Sequence, residues 1–196
     1  MKHYSILQNT LIILFGLVFA GCNNNDQLGP QTSVRISPTE QVWIVTDLLD
    51  ANGNCVVSQD FYQDNVFVIT VADSNGAPIG EAELSIYLSP SNSTSPPQYN
   101  NEYIFYLYDD LNNNGVVDHP QELVSGTGQP ILYVTETERY HGTKSVIVRT
   151  NTSCSGYLAS LEAFAGDGHA SVSISTESPD DSSDDTSDTN DGSNTE

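Results

Sequence analysis

The sequence predicts an all-β protein, a Greek-key β-sandwich of about seven or eight strands. Two observations carry that prediction. Short runs of β-branched and aromatic residues recur along the chain, separated by clusters of Gly, Pro, Asn and Asp. The central region also lacks the 3.6-residue apolar period of an amphipathic helix. The clearest unit is Asn65 to Ser89, NVFVITVADSNGAPIGEAELSIYLS, which reads as two strands and the turn that joins them. Val66 to Ala72 is almost uninterruptedly apolar. Asp73-Ser74-Asn75-Gly76 supplies turn chemistry, Pro78 forbids a helix, and Gly80 admits close backbone packing. Ala82, Leu84, Ile86 and Leu88 then alternate with Glu81, Glu83, Ser85 and Tyr87, the period of a half-buried strand. A hairpin-like unit is expected.

The other elements follow in order. Val34 to Ile36 reads as a short edge strand stopped by Pro38, and Gln41 to Leu49 as a stronger strand before the turn Asp50 to Asn54. Trp43 in that strand is expected to anchor the core. Pro90 to Asn100, rich in Ser, Pro and Asn, reads as a surface loop. The aromatic run Glu102 to Tyr108 follows, with Tyr103, Phe105 and Leu107 on one side and Ile104, Tyr106 and Tyr108 on the other. One of its faces either stacks against a glycan or protein partner or packs sheet on sheet. Ile131 to Thr137, Lys144 to Thr150, Tyr157 to Ala165 and Ala170 to Thr176 complete the strands, the last with Ala170, Val172 and Ile174 inward and serines outward.

Residues 1–21 read as a signal peptide: Lys2 and His3, an apolar run from Leu11 to Ala20, then polar sequence at once. Phe19-Ala20-Gly21-Cys22 resembles the lipobox of bacterial lipoproteins, although Phe19 departs from the usual leucine. That resemblance implies lipidation at Cys22 and a lipid-anchored protein of the cell envelope. Asn23 after the cysteine is similar to an outer-membrane address. Residues 22–32 read as a flexible tether, 33–176 as the sandwich domain, and 177–196 as a disordered acidic tail.

Asp73, Gly76, Pro78 and Gly80, together with Ala163 to Ser175, resemble the bacterial immunoglobulin-like domains of the invasin and intimin type. The resemblance implies an immunoglobulin-like sandwich and a binding or structural role. Related sandwich modules share the same turn.

The chain carries 5 Lys and Arg against 26 Asp and Glu, a formal charge of −21, which excludes nucleic acid as a partner. With Cys22 lipidated, Cys55 and Cys154 remain. In an oxidising compartment two such cysteines are expected to form a disulfide, the alternative being two separate buried thiols.

One segment has ligand-like spacing. Asp110, Asn112, Asn114, Val116 and Asp118 stand at positions 1, 3, 5, 7 and 9 of a calcium-loop pattern, with Gly115 at position 6 for the bend. The pattern resembles EF-hand and dockerin loops. It departs at position 12, which is Gln121, the closing carboxylate arriving one residue late as Glu122. Calcium is therefore the one candidate cofactor, and an Asn-Gly hairpin tip is the alternative. His119, His141 and His169 sit in turn-like sequence. Asp109 and Asp110, being adjacent, point to opposite faces, and no catalytic constellation is legible. The expected protein is a non-enzymatic envelope lipoprotein with a binding or structural module. The alternatives are a calcium-dependent glycan- or protein-binding module using the Asp110 to Glu122 loop, and an unrecognised hydrolase.

Overall fold

The computed structural model describes residues 31–90, 104–127 and 130–179. The signal peptide, Cys22, most of the tether, the loop from residue 91 and the acidic tail beyond residue 179 lie outside them. Ten strands are described: β1 (Ser33–Ser37), β2 (Glu40–Ile44), β3 (Gln63–Ala72), β4 (Glu83–Pro90), β5 (Phe105–Asp109), β6 (Leu123–Thr127), β7 (Ile131–Glu136), β8 (Thr143–Thr150), β9 (Leu158–Ala165) and β10 (Gly168–Glu177). They form two five-stranded sheets of order β1-β3-β8-β5-β6 and β2-β10-β9-β4-β7. The neighbours β1-β3-β8-β5 and β10-β9-β4 repeat the two sheets of an immunoglobulin sandwich. β2 runs parallel to β10 and the other described pairs are antiparallel, so the β1–β2 segment borders both sheets.

Several sequence expectations need correction. β6, LVSGT, was not foreseen, because its short polar pattern is too weak to signal a strand; its pairing with β5 creates it. The expected hairpin at Asn65 to Ser89 is not one. β3 lies in the first sheet and β4 in the second, so the Asp73 turn carries the chain from one layer to the other. Both strands need one apolar face buried, and facing each other across the core satisfies both without pairing.

The turn itself behaves as its residues dictate. The Asp73 carboxylate accepts N–H bonds from Asn75 at 2.8 Å and Ala77 at 2.9 Å. Those bonds, Ala77 first, hold its pKa below the usual aspartate value. Asp50 closes the preceding turn in the same way, through Asn52 and Asn54. The predicted strand Gln41 to Leu49 ends early, at Ile44, and Asp47 takes a positive φ of 52°.

Phe67, Ile69 and Val71 from β3 meet Leu84, Ile86 and Leu88 from β4 in the shared core, all fully buried. Trp43 belongs to this core, as expected, its ring 6.3 Å from that of Phe105. Cys55 and Cys154 are joined by a disulfide with Cα atoms 5.8 Å apart. It fastens the irregular segment between β2 and β3 to the segment that leads into β9.

Candidate functional site

The Asp110 loop joins β5 to β6 and folds back over the outer face of the first sheet. A side chain at Gly115 would come within 3.2 Å of Val66 Cγ2, and Val66 points outward from β3. Asp110 is buried and fastens the start of the loop. Its Oδ1 accepts the Asn114 N–H at 3.0 Å, while Oδ2 accepts the Gly115 N–H at 3.1 Å and the Ser145 hydroxyl at 2.8 Å. The polar ends of three further predicted ligands meet: Asn114 Nδ2 lies 2.8 Å and Asn112 Nδ2 3.2 Å from the Asp118 carboxylate. Val116 donates its N–H to Asn114 Oδ1 at 2.8 Å, and its side chain is exposed.

Glu122 closes the loop in spite of its late position. A 3-10 turn at Pro120–Glu122 takes up the extra residue and brings the carboxylate back onto the loop. Glu122 Oε2 accepts the N–H groups of Asp118 at 3.0 Å and His119 at 3.1 Å. The residue is fully buried, and Oε1 has no hydrogen-bond partner. Among the described residues, no three His, Cys, Asp or Glu side chains converge tightly enough to hold a metal by themselves. A cation here would also need amide and backbone oxygens.

The aromatic strand is largely built into the fold. Phe105 and Leu107 are core residues and Tyr108 is buried. On its outer side Arg149 lies 4.1 Å from the Tyr62 ring and 5.1 Å from the Tyr108 ring, and it pairs with both oxygens of Asp64 at 2.6 and 2.7 Å. Packing is thus the role of most of this strand.

An aromatic surface that the sequence reading missed lies on the outer face of the second sheet. Ser85, Tyr87 and Ser89 from β4 and Glu162 and Phe164 from β9 line a shallow depression of about 280 Å³. Tyr87 meets Phe164 edge to face at 5.6 Å, and His169 stacks on Phe164 at 4.3 Å. Leu132 and Val134 on β7 are paired with Tyr87 and Ser85 and are exposed beside them. The signal was present in the outward positions of each strand, but only the register unites them. His169 thus lies in β10, not in a turn.

Asp109 and Asp110 part as expected. Asp109 turns inward to Lys144 Nζ at 2.5 Å and accepts the Tyr133 hydroxyl, so the pair and Tyr133 link the two sheets. Burial, followed by the bond to Asp109, pushes the Tyr133 hydroxyl up to about 12. Its folded pKa exceeds the unfolded value of about 10, so the stability it supplies is full below that pH and is lost as pH rises towards 12. Urea midpoints measured from pH 9 to 12 are expected to fall across this window, and less steeply in Tyr133→Phe.

No protein-family model and no curated protein matches the chain. Several solved structures show weak likeness, three of them as follows. A conjugative transposon lipoprotein from Bacteroides eggerthii has a TM-score of 0.33 and 12% identity over 75% of this chain and 95% of its own. The N-terminal domain of PorA has a TM-score of 0.31 and 13% identity over 76% of this chain and 98% of its own. The N-terminal domain of the Streptococcus gordonii adhesin Sgo0707 has a TM-score of 0.30 and 12% identity over 76% of this chain and 32% of that one. Likeness at this level says nothing of function, so the sandwich assignment rests on the strands themselves.

Proposed function

We propose that the chain is a non-enzymatic, lipid-anchored module of the bacterial envelope that binds a neutral glycan on the outer face of its second sheet. The depression at Tyr87 and Phe164 is the observation that carries this reading. Aromatic rings offer a surface to the apolar C–H face of a sugar, and Ser85, Ser89 and Glu162 offer its hydroxyls hydrogen-bonding groups. The strongly negative chain selects against acidic sugars. The lipobox at Phe19 to Cys22 supports attachment to the envelope, and Asn23 supports the outer membrane.

The absence of turnover is part of the proposal and has a geometric argument. His169 Nε2 stands 3.5 Å from Glu162, which looks like the orienting half of a triad. The neighbouring hydroxyl, Ser160, donates to Glu162 Oε1 at 3.3 Å rather than to the imidazole. A serine nucleophile needs its hydroxyl on the base, so this order activates nothing.

Screening the chain from residue 22, with Cys22→Ser, against arrayed neutral oligosaccharides tests the reading. Binding should fall roughly tenfold in Tyr87→Ala and in Phe164→Ala, as expected for losing one stacking contact. Equal binding by both variants would reject the site. Capture of a protein instead of any glycan would replace the ligand class.

A further inference from the structure

We propose that the open edge of β7 is a docking site for an extended peptide strand of basic and apolar character from a partner protein, which would join the second sheet as a sixth strand. This inference is independent of the glycan reading, because it uses the edge of the sheet and not its aromatic face.

The backbone of β7 supplies the hydrogen-bonding edge. β7 is the last described strand of its sheet, and its register with β4 is continuous. Thr137, the next residue along, turns both its N–H and its C=O to the β4 side, to Ala82 and Glu81. These directions alternate along an antiparallel pair, so Ile131, Tyr133 and Thr135 also face β4. Leu132, Val134 and Glu136 therefore turn their N–H and C=O groups to the open side. Sheet edges are commonly blunted by a Lys, a Pro, a bulge or a short strand. Among the other edge strands, β1 is followed at once by Pro38, β2 has only five residues, and β6 shifts register against β5. β7, ILYVTE, has no Lys, no Pro and no register shift.

The side chains of the same three residues set the partner's chemistry. Leu132, Val134 and Glu136 are all exposed on the outer face. Glu83 stands directly opposite Glu136 and is exposed as well, and no described ion pair engages either of them. Like charges opposed across two strands destabilise a sheet, and a basic side chain beside Glu136 would offset them. An antiparallel strand that meets this edge would have a basic residue first, then apolar residues two and four positions on, against Val134 and Leu132. The positions between them would turn inward beside Thr135 and Tyr133. A second copy of the chain fits this edge less well, since it would bring a further formal charge of −21.

Amide hydrogen exchange followed by NMR, on the chain from residue 22 with Cys22→Ser, tests the edge. The probes are two synthetic peptides, acetyl-Arg-Thr-Val-Thr-Val-Thr-amide and its analogue with Glu in place of Arg. The arginine peptide is expected to bind with a Kd on the order of 10⁻⁴ M. It should slow exchange of the Leu132, Val134 and Glu136 amides, while those of Tyr133 and Thr135 are protected with and without it. The glutamate peptide should bind about fivefold more weakly. Val134→Pro removes a donor that β4 does not use, so it should still fold, as circular dichroism would show, and bind about tenfold more weakly. Glu136→Lys, on an exposed side chain, should reverse the preference between the two peptides whether or not the proline variant folds. No binding at about 1 mM arginine peptide, ten times the expected Kd, overturns the proposal, and so does equal binding of the two peptides. Protection of the three amides without peptide would also overturn it, because the chain itself or a second copy would then hold the edge; sedimentation tells those two apart.

Discussion

Replacing Cys55 and Cys154 by serine is expected to lower the melting midpoint by on the order of 15 °C. The disulfide spans 99 residues of sequence, and restricting a loop of that size in the unfolded chain is worth about 4.7 kcal/mol on the chain-entropy account. The folded state has its own reason to depend on it. Between β2 and β3 the chain has no full strand pairing, and the bridge of Leu49 with Cys55 is one of its few ladder contacts. On the other side, Ser153 donates to both Leu48 and Val56 carbonyls, and Thr176 from β10 donates to the Cys154 carbonyl at 2.9 Å. The crosslink therefore joins a weakly held segment to a well-bonded one. Melting followed by circular dichroism with and without reductant provides the check. A midpoint that reductant leaves unmoved, with thiol release confirmed, would show that these hydrogen bonds suffice alone.

Gly80→Ala is expected to abolish most of the folded population, costing more than about 4 kcal/mol. A methyl group there would stand 1.8 Å from the Arg139 carbonyl oxygen and 2.3 Å from its carbon, both backbone atoms. Neither chain can move aside easily. The Thr137 hydroxyl accepts the Ala82 N–H at 3.0 Å and donates to the Ile79 carbonyl at 2.8 Å, and the Thr137 backbone bonds Glu81 and Ala82. Gly76→Ala makes the informative comparison. Its added methyl meets nothing within 4 Å, so the expense is the positive φ of 83° alone, about 1 kcal/mol. Urea denaturation of the two variants should separate them widely. Similar losses would mean that the contact at Arg139 relaxes.

These two glycines also show how far the sequence could be read. Both belong to the turn signature, and the sequence reading assigned both to backbone geometry. Only Gly76 is explained by the turn. Gly80 is required by a segment nearly sixty residues away, which no local pattern can announce. The same division holds at the candidate sites. The calcium-like spacing from Asp110 to Asp118 was legible, because the order of oxygen-bearing residues along a loop is a local property. Glu122 was legible as the late closing carboxylate, but not that a 3-10 turn would bury it and turn it onto the Asp118 and His119 N–H groups. The aromatic depression had no local signature: Tyr87 and Phe164 are 77 positions apart and meet through the β4–β9 register.

By itself the sequence determined the all-β class, the alternation of β4 and β10, the turns at Asp50 and Asp73, Trp43 as a core residue and the two cysteines available to pair. Each follows from side-chain period or backbone preference over a few neighbouring residues. Tertiary structure alone decided that β3 and β4 face each other in opposite sheets instead of pairing, that β6 exists, and that the predicted aromatic strand is largely packed while another aromatic surface stays open. Those outcomes depend on which strands share a sheet, and strand partnership is set by burying apolar faces from the whole chain at once. A period of two says which face of a strand is apolar; it does not say what will cover it.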